Sequence, residues 1–440
     1  MRRTNINRIR NLSSTIIHLG LVVVIAAIFL VSVTVAQVEP RSKDRDKLRE
    51  IPQGGEEKQQ QEPAEATPSK EPLLLEEITV TGARIEKELF STPVGMNVVD
   101  QRKLLREQPR AAAEALRDEP GIWVQKTGHI GGAPIIRGLM AKQILLMVDG
   151  VRYNNLNSFA GPNSWMNTID ATDIERVEVI RGPGSVLYGT DALGGVINVI
   201  TKKNRQFSEK FQIRPKLFTR YGSVDRSSTG RLELWGSSKR FNFLLGGALK
   251  NIEDLEGGRG VGLQIPSSWK EGNFDLRGAV KLSGGHFLDL SYQDFHRYDV
   301  TRFDRPGWLA TGDREMLSLA YRGRKINPLL SQVKIEAAFH NREDGRKHET
   351  RLDNSFRDTE TIQTEVQATS LLGGAQRLTY GAHFHHDAAE GWRETKKGRS
   401  ISPNAKWDNF GVFLQDEISL FGNRSPLPLG EGRARSRSLR

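Results

Sequence analysis

Few residue types in this 440-residue chain can do chemistry. There is no Cys. Thiolate nucleophiles, thiolate metal sites and disulfides are therefore excluded. His129 sits in a Gly-rich run, Thr127-Gly128-His129-Ile130-Gly131-Gly132, and His383 and His385 alternate along one segment. A neutral imidazole can ligate a metal or a chelated iron, whereas a solvated loop or wall histidine is the commoner use of the residue. No Gly-x-Ser-x-Gly elbow and no His-Glu-x-x-His is present, so a hydrolase has no carrier for its chemistry. The chain is read as not an enzyme, with no catalytic residue, no bound metal and no cofactor. The stretch Gly182 to Gly195 is rich in Gly but has no Lys and neither phosphate-loop spacing. Its glycines serve turns and close packing.

The formal charge is +11, from 64 Lys+Arg and 53 Asp+Glu. Residues 1–36 hold Arg2, Arg3, Arg8 and Arg10 with no acid, which is +4; residues 423–440 hold five Arg and Glu431, again +4; the body keeps +3. A nucleic-acid protein carries its excess as a patch in the folded part. Here the excess is at the two ends, and no nucleic-acid partner is expected.

The elements that must position any site follow in order. A basic stretch, an apolar run from Ile16 to Val35 and Thr34-Val35-Ala36 before Gln37 read as an export signal, 1–36, cleaved after Ala36. An uncleaved anchor helix is the alternative, because about 20 apolar residues can span a bilayer core. Residues 37–75 are charged, Gln-rich and Pro-rich, too polar to offset the entropy of ordering, and read as a disordered linker. Glu76 to Arg84 (EEITVTGAR) has a β-branched, alternating centre. It is either the first strand of the next domain or a strand that adds to another protein's sheet edge.

Residues 90–203 read as one α/β unit of short elements. Strands are expected at Pro93–Val99, Ile122–Val124, Pro134–Gly138, Ile144–Val148, Ile174–Ile180 and Val196–Thr201. A helix is expected over Lys103–Arg117, stopped by Glu119-Pro120-Gly121. From Phe211 onward the pattern turns to period-2 segments of about 10 residues, apolar on one face and polar or charged on the other, such as Phe274, Leu276, Gly278, Val280 against Arg277 and Lys281. A soluble sandwich gives a similar alternation. A transmembrane barrel with a water-filled lumen accounts better for so charged a polar face.

These residues carry a family resemblance. Glu76 to Arg84 resembles a TonB box. Ile136-Arg137-Gly138 through Val148-Asp149-Gly150-Val151 resembles the middle, and Ile174 to Lys202 (IERVEVIRGPGSVLYGTDALGGVINVITK) the end, of the plug of TonB-dependent outer-membrane receptors. Phe410 to Glu417 is a phrase similar to their barrels. The resemblance implies an α/β plug domain followed by antiparallel transmembrane β-barrel strands. The expected domains are 76–84 for the box, 85–203 for the plug and 204–422 for a partial barrel, about half of the family's 22 strands. It implies a cell outer membrane location, outer-membrane lipid around the barrel, and TonB of the inner-membrane TonB-ExbB-ExbD complex as partner through Ile78, Thr79, Val80 and Thr81. It places Arg137, Arg181, Gly182 and Gly184 at the plug–barrel contact, the arginines meeting barrel carboxylates. Ligand contacts are expected from His129, Tyr153, Asn154 and Trp165 in apical loops and from His383 and His385 in the lumen. Trp165, Trp269 and Trp308 suit loop recognition or interface girdles.

The implied function is energy-coupled uptake of a scarce chelate, a ferric siderophore foremost, with haem or cobalamin as alternatives. An exported binding or sensing protein without transport is the reading from another class. Only about 240 residues follow Thr201, enough for roughly 10 to 12 strands. The Pro/Gly/Arg-rich residues 423–440 do not read as a closing strand. The chain is therefore expected to be C-terminally truncated, with an aberrant tail, and not to transport by itself.

Overall fold

The computed structural model describes residues 79–80, 87–88, 95–126, 128–129, 132–156, 165–326, 329–372, 376–395 and 404–418. The expected export signal, linker and tail, with Ile78 and Thr81, lie outside the described residues. Within the box segment, β1 (Thr79–Val80) pairs antiparallel with β2 (Lys87–Glu88).

The α/β unit begins with β3 (Met96–Val99) and α1 (Gln101–Glu107). Asp100 caps α1 by accepting from the Lys103 N–H at 2.8 Å. The expected helix to Arg117 is broken. Gln108 adopts φ 45° before Pro109, and the chain resumes as a 3-10 turn over Ala112–Leu116. Proline has no N–H to give a helix and disfavours helical backbone in the residue before it. There follow β4 (Ile122–Gln125), β5 (Ala133–Ile136), β6 (Leu139–Met140), β7 (Ile144–Val148), β8 (Val151–Arg152), β9 (Ile174–Arg181), α2 (Ser185–Tyr188) and β10 (Gly195–Thr201).

Two sheets result. One is ordered β3-β9-β10-β7-β8 and the other β4-β5-β6. Only β10 and β7 run parallel in the larger sheet. Its central strands are buried on both sides, so β7 is an unbroken apolar run rather than an alternating one. Ile144, Leu146 and Val148 face a core with Val177, Val179, Ile197 and the 3-10 alanines. Leu145 and Met147 face a second cluster with Ile180, Tyr188 and Val196. Two hairpins turn through pairs of positive φ, Arg137-Gly138 and Asp149-Gly150, as two-residue hairpin loops require.

The remaining strands are β11 (Gln212–Gly222), β12 (Ser227–Ser237), β13 (Phe241–Ile252), the small hairpin β14 (Leu255–Gly257) and β15 (Gly262–Gln264), β16 (Trp269–Ser283), β17 (His286–Val300), β18 (Trp308–Arg324), β19 (Leu330–His348), β20 (Asp353–Leu372), β21 (Gln376–Thr395) and β22 (Ala405–Ile418). All but β14 and β15 form one ten-stranded antiparallel sheet in chain order, with β11 and β22 at its edges. Pro215 is tolerated because β11 is an edge strand. Alternation is inverted relative to a soluble protein. Leu217, Leu232, Leu319, Ile335, Ile362 and Val412 are exposed, while Arg231, Glu233, Asp275, Arg277 and His340 are buried. Apolar out and polar in is the pattern of a partial transmembrane barrel. Among the described residues no helix is long and apolar enough to cross a membrane. Turns at one end are short, such as 238–240 and 284–285, and connections at the other include 253–268 and 301–307. The long-loop end is the outer side of such barrels.

At Gly195 an added Cβ would land against the Ile180 carbonyl oxygen and 3.1 Å from Ile136 Cδ1. Gly195→Ala is therefore expected to destabilise the α/β unit by about 1–3 kcal/mol. Denaturant unfolding in detergent checks this, and an unchanged midpoint would contradict the β9–β10 packing.

Candidate functional site

The seam between the α/β unit and the inner wall of the sheet is where charged side chains meet. A 3-10 turn over Trp165–Thr168 and a second over Ala171–Asp173 lead into β9. They present Asp170 and Asp173 to inward positions of β12, β13 and β16. Arg231 reaches Asp173 at 3.1 Å, Glu233 at 2.7 Å, Asp275 at 2.8 Å and Asp170 at 3.6 Å. Arg277 pairs with Asp173 and with Asp275. Lys250 bridges Asp170 at 2.8 Å and Glu271 at 3.0 Å. Arg297 holds Glu271 at 2.6 Å and donates to the Asn167 carbonyl. Lys202, just after β10, holds Glu233 at 2.7 Å.

Five cations thus face five carboxylates, and Asp170, Asp173 and Lys202 come from the α/β unit. Arg231 is 1% exposed. Isolated charges cannot be left in such a place, but a paired and hydrogen-bonded set can. Burial alone would raise the Asp170 carboxyl; Lys250 and then Arg231 outweigh it and hold the group well below the usual carboxylate range. The cluster joins the two units as an ionic latch.

A second network lies nearer the long-loop end. Glu114 accepts from the Arg110 N–H and guanidinium and from Lys126. Burial pushes its carboxyl up, but Arg110 and Lys126 together bring it down to about 2. Arg110 also reaches Asp225, in the β11–β12 turn, at 2.8 Å, and the same nitrogen lies 2.8 Å from His129 Nε2. His129 Nδ1 is 3.0 Å from the Ser267 carbonyl, which can only accept. Burial foremost holds the ring's pKa below its ordinary value. Nδ1 donates to the Ser267 carbonyl, and Nε2 lies between Arg110 and the Asp225 carboxylate, 3.2 Å away. It stands edge-on to Trp269 at 4.7 Å.

The third contact is softer. The Gln363 side chain accepts from the Arg152 N–H and donates to the Arg152 carbonyl, at 3.2 and 2.6 Å. Asp387 accepts from the Leu156 N–H at 3.1 Å and from Thr361 at 2.8 Å. Beside it is a cavity of about 40 Å³ lined by Met147, Arg152, Tyr188, Glu336, His383 and His385, among others.

Several expected site residues are corrected. Arg137 is exposed at its hairpin turn, its guanidinium against Gly182, and Arg181 reaches the Pro120 carbonyl at 3.5 Å. Among the described residues, both arginines meet the α/β unit itself rather than barrel carboxylates. Gly184 packs on Val196, Tyr188 and Ala192. His129 has both ring nitrogens engaged and none for iron. Tyr153 is buried, its hydroxyl bonded to Thr168 and its ring stacked on His340. Asn154 is spent on Leu146 N–H and the Ile144 carbonyl. Trp165 is buried beneath Arg342, 4.5 Å from its ring centre. Trp269 is buried and is no girdle residue. His383 and His385 do face inward, onto the cavity, with His385 edge-on to Trp407.

The latch itself was missed. Its sequence signal is a charge at every second residue, Arg231 and Glu233, then Glu271, Asp275 and Arg277, beside Asp170 and Asp173 at i, i+3. Nothing in one strand's sequence says which other strand completes the pairs.

Comparison with known proteins gives a consistent set. Residues 88–196 match the family model described as TonB-dependent Receptor Plug Domain. The chain is 39% identical over 330 residues to a Vitamin B12 transporter BtuB of Vibrio vulnificus (strain CMCP6), covering 72% of this chain and 50% of that protein. It is 37% identical over 139 residues to an iron-regulated outer membrane virulence protein of Vibrio cholerae, covering 30% of this chain and 21% of that one. The siderophore receptor PirA from Pseudomonas aeruginosa has a similar fold, with TM-score 0.55, 18% identity, and coverage of 75% of this chain and 54% of that one. The chain spans half or less of the length of these two curated relatives.

Two measurements test the seam. Arg231→Ala removes the cation shared by Asp173, Glu233 and Asp275, leaves them to Arg277 and Lys202, and should cost about 3–5 kcal/mol, whereas Arg137→Ala, at an exposed turn, should stay within about 0.5 kcal/mol. Thermal unfolding in detergent compares them; equal effects would remove the latch. Because Glu114 is depressed in the folded state, its contribution is complete above about pH 4 and is lost as pH falls toward its folded value. Protease sensitivity of the α/β unit should therefore rise between about pH 4 and 2, and less so in Glu114→Gln.

Proposed function

We infer that this chain, which belongs to the TonB-dependent receptor family, serves energy-coupled uptake of a scarce chelate across an outer membrane, a ferric siderophore foremost. The observation that carries the reading is the union of a plug with a barrel wall through a buried ionic latch. A plug so held blocks passive flow, so passage needs work, and the linker of residues 37–75 is where work enters. Export through the signal, with cleavage after Ala36, delivers the chain to the outer membrane.

Ile78 to Thr81 is the strand that TonB of the inner-membrane complex takes by edge addition, main-chain hydrogen bonds giving the grip. The pairing of Thr79 and Val80 with Lys87 and Glu88 supports an extended conformation there. Among the described residues β1 pairs along one edge, with β2. Ligand binding outside must favour the state in which this strand is released, which requires different ligand contacts in the two states. Iron is favoured by the iron-regulated relative. Cobalamin is the second reading, favoured by the similarity to the vitamin B12 transporter.

In a receptor carrying this sequence, Val80→Pro removes one N–H from the added strand. Uptake of labelled chelate and capture of the TonB C-terminal domain should both be abolished while ligand binding to the receptor persists. Unchanged uptake would overturn the coupling role of this segment.

A further inference from the structure

The wall that meets the plug through neutral hydrogen bonds carries a histidine pair at strand spacing. His383 and His385 are two residues apart on β21 and share its inward face. Register fixes their neighbours. On β20, Glu365 is opposite His383 and Gln363 is opposite His385. On β22, Gly411 is opposite His383 and Asn409 is opposite His385. Glu336 of β19 lies opposite Glu365. Both imidazoles line the cavity of about 40 Å³ between this wall and the plug residues Met147, Arg152 and Tyr188. That is room for about three waters, or for one cation with part of its hydration.

The rings are set for this place. A Cβ at Gly411 would strike the His383 ring, and one at Gly189 of the plug would come within 3.4 Å of it, so the two glycines give the imidazole its slot. His383 Nε2 stands 3.3 Å from Asn409 Oδ1. His385 is 2% exposed and edge-on to Trp407, with ring centres 5.0 Å apart. Its Nε2 is buried and has no hydrogen-bond partner among the described residues. A buried nitrogen in that state is costly, and it marks a place where a ligand atom belongs. The charges beside the cavity are mixed. Glu336 holds Lys334 at 2.8 Å, Arg152 holds Asp191 at 2.7 Å, and Glu365 stands next to His383. The lining is therefore not a purely cationic surface that would repel a metal ion.

We infer that His383 and His385 chelate one divalent d-block cation in this cavity. Imidazoles at i and i+2 of a strand project side by side from one face, as a chelate requires. Imidazole suits copper, nickel and zinc, whereas calcium and magnesium demand oxygen donors. Among the described residues no three His, Asp or Glu side chains are grouped to hold a metal. The two imidazoles are therefore the nitrogen donors, and water fills the remaining positions. The Met147 thioether, on the plug side of the same cavity, is a further soft donor. The site lies in the seam near the middle of β20 and β21, flanked by plug on one side and wall on the other. It goes beyond the uptake reading, because binding here needs neither the transported ligand nor energy coupling.

The probes are NiCl2 and CuCl2, with CaCl2 as the contrasting arm. Binding of nickel to the full chain in detergent is followed calorimetrically. Nickel should saturate a site at roughly 0.1 mM or below, and excess calcium should not displace it. His383→Gln and His385→Gln should each weaken nickel binding about tenfold, and the double variant should abolish it. His386→Gln, one position along and engaged with Asp408 at 2.6 Å, should leave it unchanged. Copper on the parent chain should give an electron paramagnetic resonance spectrum with two imidazole nitrogens on one ion. That spectrum remains decisive if a histidine variant does not fold. The inference is overturned if nickel fails to saturate, if calcium displaces it, if the double variant binds as the parent does, if His386→Gln weakens binding as much as His385→Gln, or if copper carries fewer than two imidazoles. No inner-membrane partner enters these measurements. Their failure leaves the coupling reading standing, and failure of the Val80→Pro test leaves this one standing.

Discussion

Charge neutrality inside the seam is the constraint on which the structure turns. Asp170 and Asp173 cannot be buried unless Arg231, Lys250 and Arg277 reach them, and those cations cannot line a barrel wall at that depth unless the plug supplies the acids. Each unit on its own would hold uncompensated charges that water would have to solvate. Together they form a balanced set, and the desolvation cost is offset only in that arrangement. The plug's apolar core lies on the two faces of its larger sheet, and Met316 and Ala338 of the wall join the cluster on one of them.

The wall achieves its two surfaces with one device. Successive residues of a strand face opposite sides, so a strand such as β19 shows Ile335 and Phe339 outward and His340, Arg342 and Arg346 inward. At mid-height the outer rows are apolar, for lipid. Toward the long-loop end they become acidic while the inner rows become basic. The contacts grade in the same direction. The latch is a set of ion pairs, the His129 and Arg110 network ties loops to the plug, and the Gln363 and Asp387 contacts to the plug are hydrogen bonds to its backbone rather than ion pairs.

Much of this was legible in the residues. The α/β unit and the alternating array were readable because their signals are local. Buried β7 is five apolar residues in a row, and outward positions of β13 and β16 repeat at every second residue. β20 was not readable in this way. Its outward positions include Asp358 and Glu360, so the apolar rhythm is broken where the strand rises above the lipid zone, and Thr364 interrupts it again between Ile362 and Val366. The helix over 103–117 was misread because periodicity was weighed without Pro109. Arg137 was assigned a barrel partner on resemblance. The backbone puts it at positive φ in a two-residue hairpin loop, exposed, where the glycine after it serves the turn.

Amino-acid order alone carried the α/β unit, the alternating strand array and the inward face of residues such as His383 and His385, because each depends on neighbours within a few positions. It did not settle which charges meet. Asp173 and Arg277 are 104 residues apart, His129 and Ser267 are 138 apart, and Arg152 and Gln363 are 211 apart. Their pairing depends on strand register and on how the plug sits against the wall. A one-residue slip of β16 or β20 would turn Arg277 or Gln363 toward lipid. Tyr153, Asn154 and Trp165 look like loop residues awaiting a ligand when read in line; folding buries them, with Arg314 over the Tyr153 ring and Arg342 over the Trp165 ring.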